Sequence, residues 1–206
     1  MDAILERQAI AQRGKHLEHL TIGWNTFEGL VAIAAGISAG SISLVGFGID
    51  SIIEVASALA LIWRMSLDAD VHARERSEKI TRRIVGLCFL GLAAYIGCES
   101  VFYLIRSQGP DRSIVGIALT CAALVVMPML SHAKKRIGKE LGSRAMEADA
   151  KQADFCAYLS AITLVGLLLK AAFSWWWADA IAALIMAPLI AREGIQALKG
   201  EACACP

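Results

Sequence analysis

Six separate runs of mostly apolar residues, each near the length needed to cross a bilayer, constrain this chain more than any other feature. A hydrocarbon core about 30 Å thick is crossed by roughly 20 residues in helical form. Runs of that kind lie near Leu20 to Ala39, Ile42 to Trp63, Ile84 to Ile105, Ile114 to Ser131, Phe155 to Phe173 and Trp176 to Ala191. Lipid offers no partner to a backbone N–H or C=O, so such runs satisfy their polar groups internally, as helices. The predicted fold class is therefore an all-α membrane protein with six transmembrane helices. Composition agrees: 57% of the 206 residues are apolar and 19% are charged, whereas a soluble domain carries about 25% charged residues.

The segments between the runs alternate in kind. Arg64 to Arg83 and His132 to Lys151 are long and charged; those around Gly40, Gln108 to Arg112 and Ser174 are short. If the chain weaves back and forth, nearly all of its 20 Lys and Arg fall on the side of the long segments and the two ends. Only Arg106, Arg112 and Lys170 fall on the other. The positive-inside rule then makes both termini cytoplasmic. Residues 1–19 read as a cytoplasmic N-terminal segment, 20–197 as a six-helix transmembrane domain and 198–206 as a short cytoplasmic tail, too short for a folded domain. The N-terminal segment has no unbroken apolar core followed by a small-residue cleavage site, so it is not a signal peptide. Ile4, Leu5, Gln8 and Ala9 opposite Arg7 and Arg13 suit a short interfacial helix on the cytoplasmic leaflet, with a frayed end as the alternative. Trp175, Trp176 and Trp177 fit an anchor at headgroup level on the opposite side.

A net charge of +1 gives no reason to expect nucleic-acid binding. No metalloprotease helix, nucleophile elbow or phosphate loop occurs, and the chain is expected not to be an enzyme. Function is sought instead in ionisable residues at bilayer depth, which are costly unless they face a protein interior or a water-filled path. The second run holds Asp50 and Glu54, four residues apart and hence on one face of a helix. Two carboxylates a turn apart in a low dielectric repel, so the pair needs a proton or a cation between them. Oxygens that take either one provide a physical basis for coupling metal movement to proton movement. The alternative is neutralisation by a Lys or Arg elsewhere in the bundle, yet no basic residue lies at mid-depth in any of the six runs.

Asn25 and Glu28 share a face of the first helix, either as contributors to a metal or proton path or as an interhelical hydrogen-bonding pair near cytoplasmic water. In the fifth, at 100° per residue, Asp149, Gln152, Cys156 and Ser160 form one stripe while Asp154 points about 160° away from Gln152 and Cys156. Cys156 would add a thiolate and Gln152 a carbonyl oxygen to the carboxylates of Asp50 and Glu54, a mixed oxygen and sulfur set suited to zinc and softer ions. An intramembrane Cys that merely packs is the competing explanation. His16, Glu18 and His19, with His72 and with Cys203 and Cys205 of the tail, all on the cytoplasmic face, are candidates for metal capture at the entrance.

The second-run motif Ser-Ile-Ser-Leu-Val-Gly-Phe-Gly-Ile-Asp50-Ser-Ile-Ile-Glu54, Asn25 before it and Trp177-Ala-Asp179-Ala-Ile-Ala-Ala-Leu in the sixth run resemble the cation diffusion facilitator family of six-helix zinc and heavy-metal transporters. That family's site pairs an acidic or His residue with an Asp on the second helix and a His with an Asp on the fifth. Asp50 and Glu54 match the first pair; Gln152 and Cys156 stand where His and Asp are usual, and a frame using Asp154 would lose the other ligand. The stretch Lys151 to Ser160 is similar to a short subgroup without the family's C-terminal cytoplasmic domain. The resemblance implies a secondary transporter exporting a divalent transition metal, zinc first, in exchange for protons, with Asp149 or Asp154 relaying protons and no prosthetic group. A non-transporting metal sensor or scaffold is the alternative. Implied partners are metal ions, protons and the lipid bilayer; without the cytoplasmic domain a homodimer would have to use helix faces such as the small residues Ala32, Gly36 and Gly40, and the compact chain without a targeting peptide points to a bacterial inner membrane.

Overall fold

The computed structural model describes residues 2–66, 71–106, 109–141 and 144–199. They form α1 (Asp2–Ala39), α2 (Ile42–Ser66), α3 (Val71–Arg106), α4 (Ile114–Leu141), α5 (Arg144–Phe173) and α6 (Ala178–Lys199). Each contains a segment long and apolar enough to cross a membrane, and no strand occurs among the described residues. The chain is an all-α, multi-pass integral membrane protein.

The helices outrun their apolar segments, which corrects the loop assignments. α1 has 38 residues and α3 has 36. Much of the two long charged stretches is helix: α3 already begins at Val71, α4 continues to Leu141 and α5 starts at Arg144. Hydrophobicity ends at the membrane surface, but helix propensity does not, because Ala, Arg, Lys and Glu are strong helix formers. Arg136 and Glu140, 3.1 Å apart and one turn apart on α4, add the usual favourable spacing. The N-terminal segment likewise belongs to α1 and is no separate interfacial helix.

At the other end the turns are tight. Gly40, at φ 66°, closes α1: its N–H donates to Ile37 O and the Ser41 N–H to Gly36 O, the paired bonds of a Schellman cap that favours glycine at this position. The segment before α4 joins this turn through Asp111 N–H to Ala39 O at 2.7 Å, and Arg112 reaches Ser174 Oγ at 3.4 Å. The three short connections thus meet at one end of the bundle, leaving the start of α1 and the end of α6 at the opposite one. Trp175 and Trp177 stack there with ring centroids 4.9 Å apart, each partly exposed as an interfacial anchor requires.

Contacts between helices define a ring and a pair. α1 packs on α2, α2 on α5, α5 on α4, and α4 returns to α1; α3 and α6 pack on each other and lean against α2, with α6 also reaching α5. Small residues bring the α1 and α2 backbones together: a Cβ on Gly48 would lie 2.9 Å from both Ala32 Cβ and Ile33 N, and one on Gly36 2.8 Å from Val45 N. Ala32 is fully buried in that contact, and Gly40 is committed to the turn. The stripe expected to mediate dimerisation is therefore used within the chain. Phe27, Leu30 and Ile37 face outward instead, Ile37 with 70% exposure, as a lipid-facing surface does.

Candidate metal and proton site

The helix carrying the two acids is fixed at its start. Ser41 caps α2, its Oγ accepting from Leu44 N–H at 3.2 Å. Asp179, in the first turn of α6, then takes the remaining donors: Ser41 Oγ and Ser43 Oγ at 2.5 Å each, Ile42 N–H at 2.9 Å and, more weakly, Ser43 N–H at 3.5 Å. A carboxylate at a helix N-terminus satisfies N–H groups that have no intrahelical acceptor and complements the helix dipole. Leu44 and Phe47, both fully buried, then lock the rotation of α2 about its axis.

That rotation turns Asp50 and Glu54 into the four-helix ring, where they are 2% and 1% exposed. From α5, the fully buried Cys156 thiol comes close to both Asp50 and Glu54. From α1, Glu28 joins them, close enough to act on Asp50, Glu54 and Cys156 alike and held by Ser51 Oγ, which donates to Glu28 Oε2 at 3.0 Å. Asn25, fully buried, lies one turn before Glu28. The structure therefore brings together Asp50, Glu54, Cys156 and Glu28, drawn from three helices.

Buried polar atoms in folded proteins are nearly always hydrogen-bonded. Here Glu54 Oε1 and Oε2, Glu28 Oε1, both amide atoms of Asn25 and Gln152 Nε2 have no hydrogen-bond partner. A concentration of unsatisfied oxygens and one thiol inside a single ring is what a site for a removable cation or proton requires. Among the described residues, no three His, Cys, Asp or Glu side chains are already closed into metal-ligating geometry.

The remaining candidates divide. Gln152 sits one turn before Cys156 and is half-buried. Asp154 faces away, as the helical arithmetic requires, and pairs with Lys135 at 2.5 Å near the surface. Asp149 is 5% exposed and is in contact with Lys134. Lys134, which the sequence places in a charged connecting segment, is a buried basic residue: it lies on α4, three residues past the fourth apolar run, with 0% exposure. Its partners are Asp149 and Glu18 rather than Asp50, although Glu54 is within its electrostatic reach. His16 and His19 are exposed, and His16 Nδ1 is bound to Gln12 O at 3.0 Å. Cys203, Cys205 and the side chain of His72 lie outside the described residues.

Residues 20–201 match the cation efflux transmembrane domain. An uncharacterized transporter of Methanocaldococcus jannaschii is 28% identical over 179 residues, covering 84% of this chain and 63% of the relative. Transmembrane protein 163 of Xenopus laevis is 24% identical over 198 residues, 94% of this chain and 69% of the relative. A cation-efflux pump of Cronobacter sakazakii is 27% identical over 165 residues, 75% of this chain and 53% of the relative. The chain thus spans between about half and two thirds of the length of these relatives.

Proposed function

The chain belongs to the cation efflux family, and from that premise we propose that it is a secondary transporter carrying a divalent transition metal, zinc first, out of the cytoplasm in exchange for protons. The observation that carries this reading is the convergence of Asp50, Glu54, Glu28 and Cys156 inside the four-helix ring with so many of their oxygens unpaired. Asp50 and Glu54 supply charged oxygens, Cys156 a thiolate once its proton leaves, and Gln152 or Glu28 the remaining oxygen of a four-coordinate shell. Release of the ion leaves the same atoms to take up protons, which gives exchange without a separate proton site. Asp149 would pass protons between this cluster and the end of the bundle where α1 begins and α6 ends.

The surplus of Lys and Arg at that end supports a cytoplasmic placement of both termini and, with it, an outward direction. Access to the two sides in turn would come from rocking the α3 and α6 pair against the ring. A bacterial inner membrane is the proposed location, and no prosthetic group is required.

The test is zinc flux into proteoliposomes under an imposed pH gradient, with cadmium, cobalt and manganese as competitors. Flux that follows the gradient is the expected result. Binding without flux of any of these ions would leave a sensor in place of a transporter. Within the same assay, Cys156→Ser replaces a soft sulfur by a hard oxygen and should lower cadmium uptake relative to zinc by about tenfold, the equivalent of about 1.4 kcal/mol. An unchanged ratio would mean that the thiol packs beside the ion without touching it.

A further inference from the structure

A second acidic cluster lies in the same ring, nearer the end where the termini emerge. Glu18 precedes Glu28 by ten residues on α1 and Asp149 precedes Cys156 by seven on α5, distances of about 15 Å and about 10 Å along helices rising about 1.5 Å per residue. Glu18 is 0% and Asp149 5% exposed. Between them α4 sets the ammonium of Lys134, 3.3 Å from Glu18 Oε2 and in direct contact with Asp149 Oδ2. Glu54, the acid of α2 closer to this end, is within electrostatic reach of Lys134 and of Asp149.

An enclosed ion pair that serves only the fold uses its donors and acceptors fully, because every one left over costs desolvation energy. This cluster does not. An ammonium has three donors, yet its one hydrogen bond here goes to Asp149. Glu18 Oε2 meets the ammonium only as an ion-pair contact at 3.3 Å, and Glu18 Oε1 and Asp149 Oδ1 have no hydrogen-bond partner. Two carboxylates share a single positive charge, with a third carboxylate, Glu54, leading onward to Asp50. The arrangement has the donor set of a divalent cation site with a monovalent cation seated in it.

We propose that Glu18 and Asp149 form a second divalent-cation subsite, on the terminus side of the Asp50 cluster, and that the Lys134 ammonium is a tethered cation which the metal displaces. While the ammonium is in place it repels any approaching cation and ties α1 to α4 and α5, so the ring is shut at this level. Once displaced, it swings on a flexible four-carbon stem while Glu18, Asp149 and Glu54 offer oxygens to the ion. The description of this subsite as a stage on the way to Asp50 rests on the transport reading; the binding of metal at Glu18 and Asp149 does not.

Zinc bound per chain, measured by equilibrium dialysis on the full-length protein in detergent, tests it. At a zinc concentration too low to displace the ammonium, Lys134→Met, which keeps most of the side chain's length and removes its charge, should bind one zinc ion more than the parent chain. Adding Glu18→Gln should remove that extra ion, and Lys134→Arg should bind no more than the parent. If the parent binds none and Lys134→Met binds one, the subsite stands and the assignment at Asp50 falls. If the parent binds one and Lys134→Met still binds one, the subsite is overturned and the assignment at Asp50 survives. Should Lys134→Met not fold, an amine-reactive reagent on the parent chain gives the answer by mass spectrometry. Saturating zinc should raise the labelling of Lys134 severalfold, and unchanged labelling would overturn the proposal.

Discussion

Replacing Asp50 by Asn is expected to stop zinc flux while leaving the bundle folded. Asn has the shape of Asp and keeps the packing of α2 against α1 and α5, so the change isolates the charge. That charge is 2% exposed and has the Cys156 thiol as its neighbour. Losing one partner of a buried charge interaction costs about 3–5 kcal/mol, and at about 1.4 kcal/mol per tenfold this lowers affinity for the ion by more than about a hundredfold. Glu54→Gln should behave alike, since both of its oxygens are unpaired without an ion. Asp154→Asn is the control. Its pair with Lys135 is partly exposed at both partners, where such contacts are worth about 0–1 kcal/mol, and flux should stay within about twofold of the parent. Parent-level flux from Asp50→Asn would remove Asp50 from the ion's path.

The contrast between Asp50 and Asp154 was legible in the sequence because both lie well inside helices whose phase is set by apolar neighbours. Spacing alone put Asp50 and Glu54 on one face and Asp154 away from Cys156. Glu18 and Asp149 were each singled out, but their assembly around Lys134 was not legible, since charged residues beyond an apolar run look like a solvated loop. Lys134, Lys135 and Arg136 form one basic run, and only helix phase separates them. The signal was nonetheless present. Thr120, Ala123, Met127 and Ser131 are the buried stripe of α4, and one further step of three reaches Lys134. On α1 the stripe Ala32, Glu28, Asn25 and Thr21 leads back in the same way to Glu18. Following a stripe past the end of its hydrophobicity would have found both. Composition likewise misdirected the small residues Ala32 and Gly36, which allow any two helices to approach and do not say whether the second belongs to the same chain.

Asp179→Ala is expected to be the most damaging substitution outside the ion site, and its effect should reach that site through α2. The carboxylate accepts from two serine hydroxyls and from the Ile42 N–H, all at buried positions. Hydrogen bonds to a charged acceptor contribute about 1.5–3 kcal/mol each, and donors left unpaired in the interior add their own desolvation cost. Ser41 retains its capping bond to Leu44 N–H, so part of the helix start survives, and a net loss of about 3–5 kcal/mol is expected. Thermal unfolding in mild detergent measures it. Asp179→Asn should fall between the two, because one amide oxygen still accepts while the amide nitrogen faces donors. The consequence for function follows from geometry: the clamp fixes both the height and the rotation of α2 against α6, and Asp50 lies only seven residues beyond Ser43, about 10 Å along the helix. Asp179→Asn should therefore lower metal affinity without touching the ion. Unaltered zinc affinity in a protein whose unfolding temperature has dropped would show that the clamp holds the fold but does not set the position of Asp50.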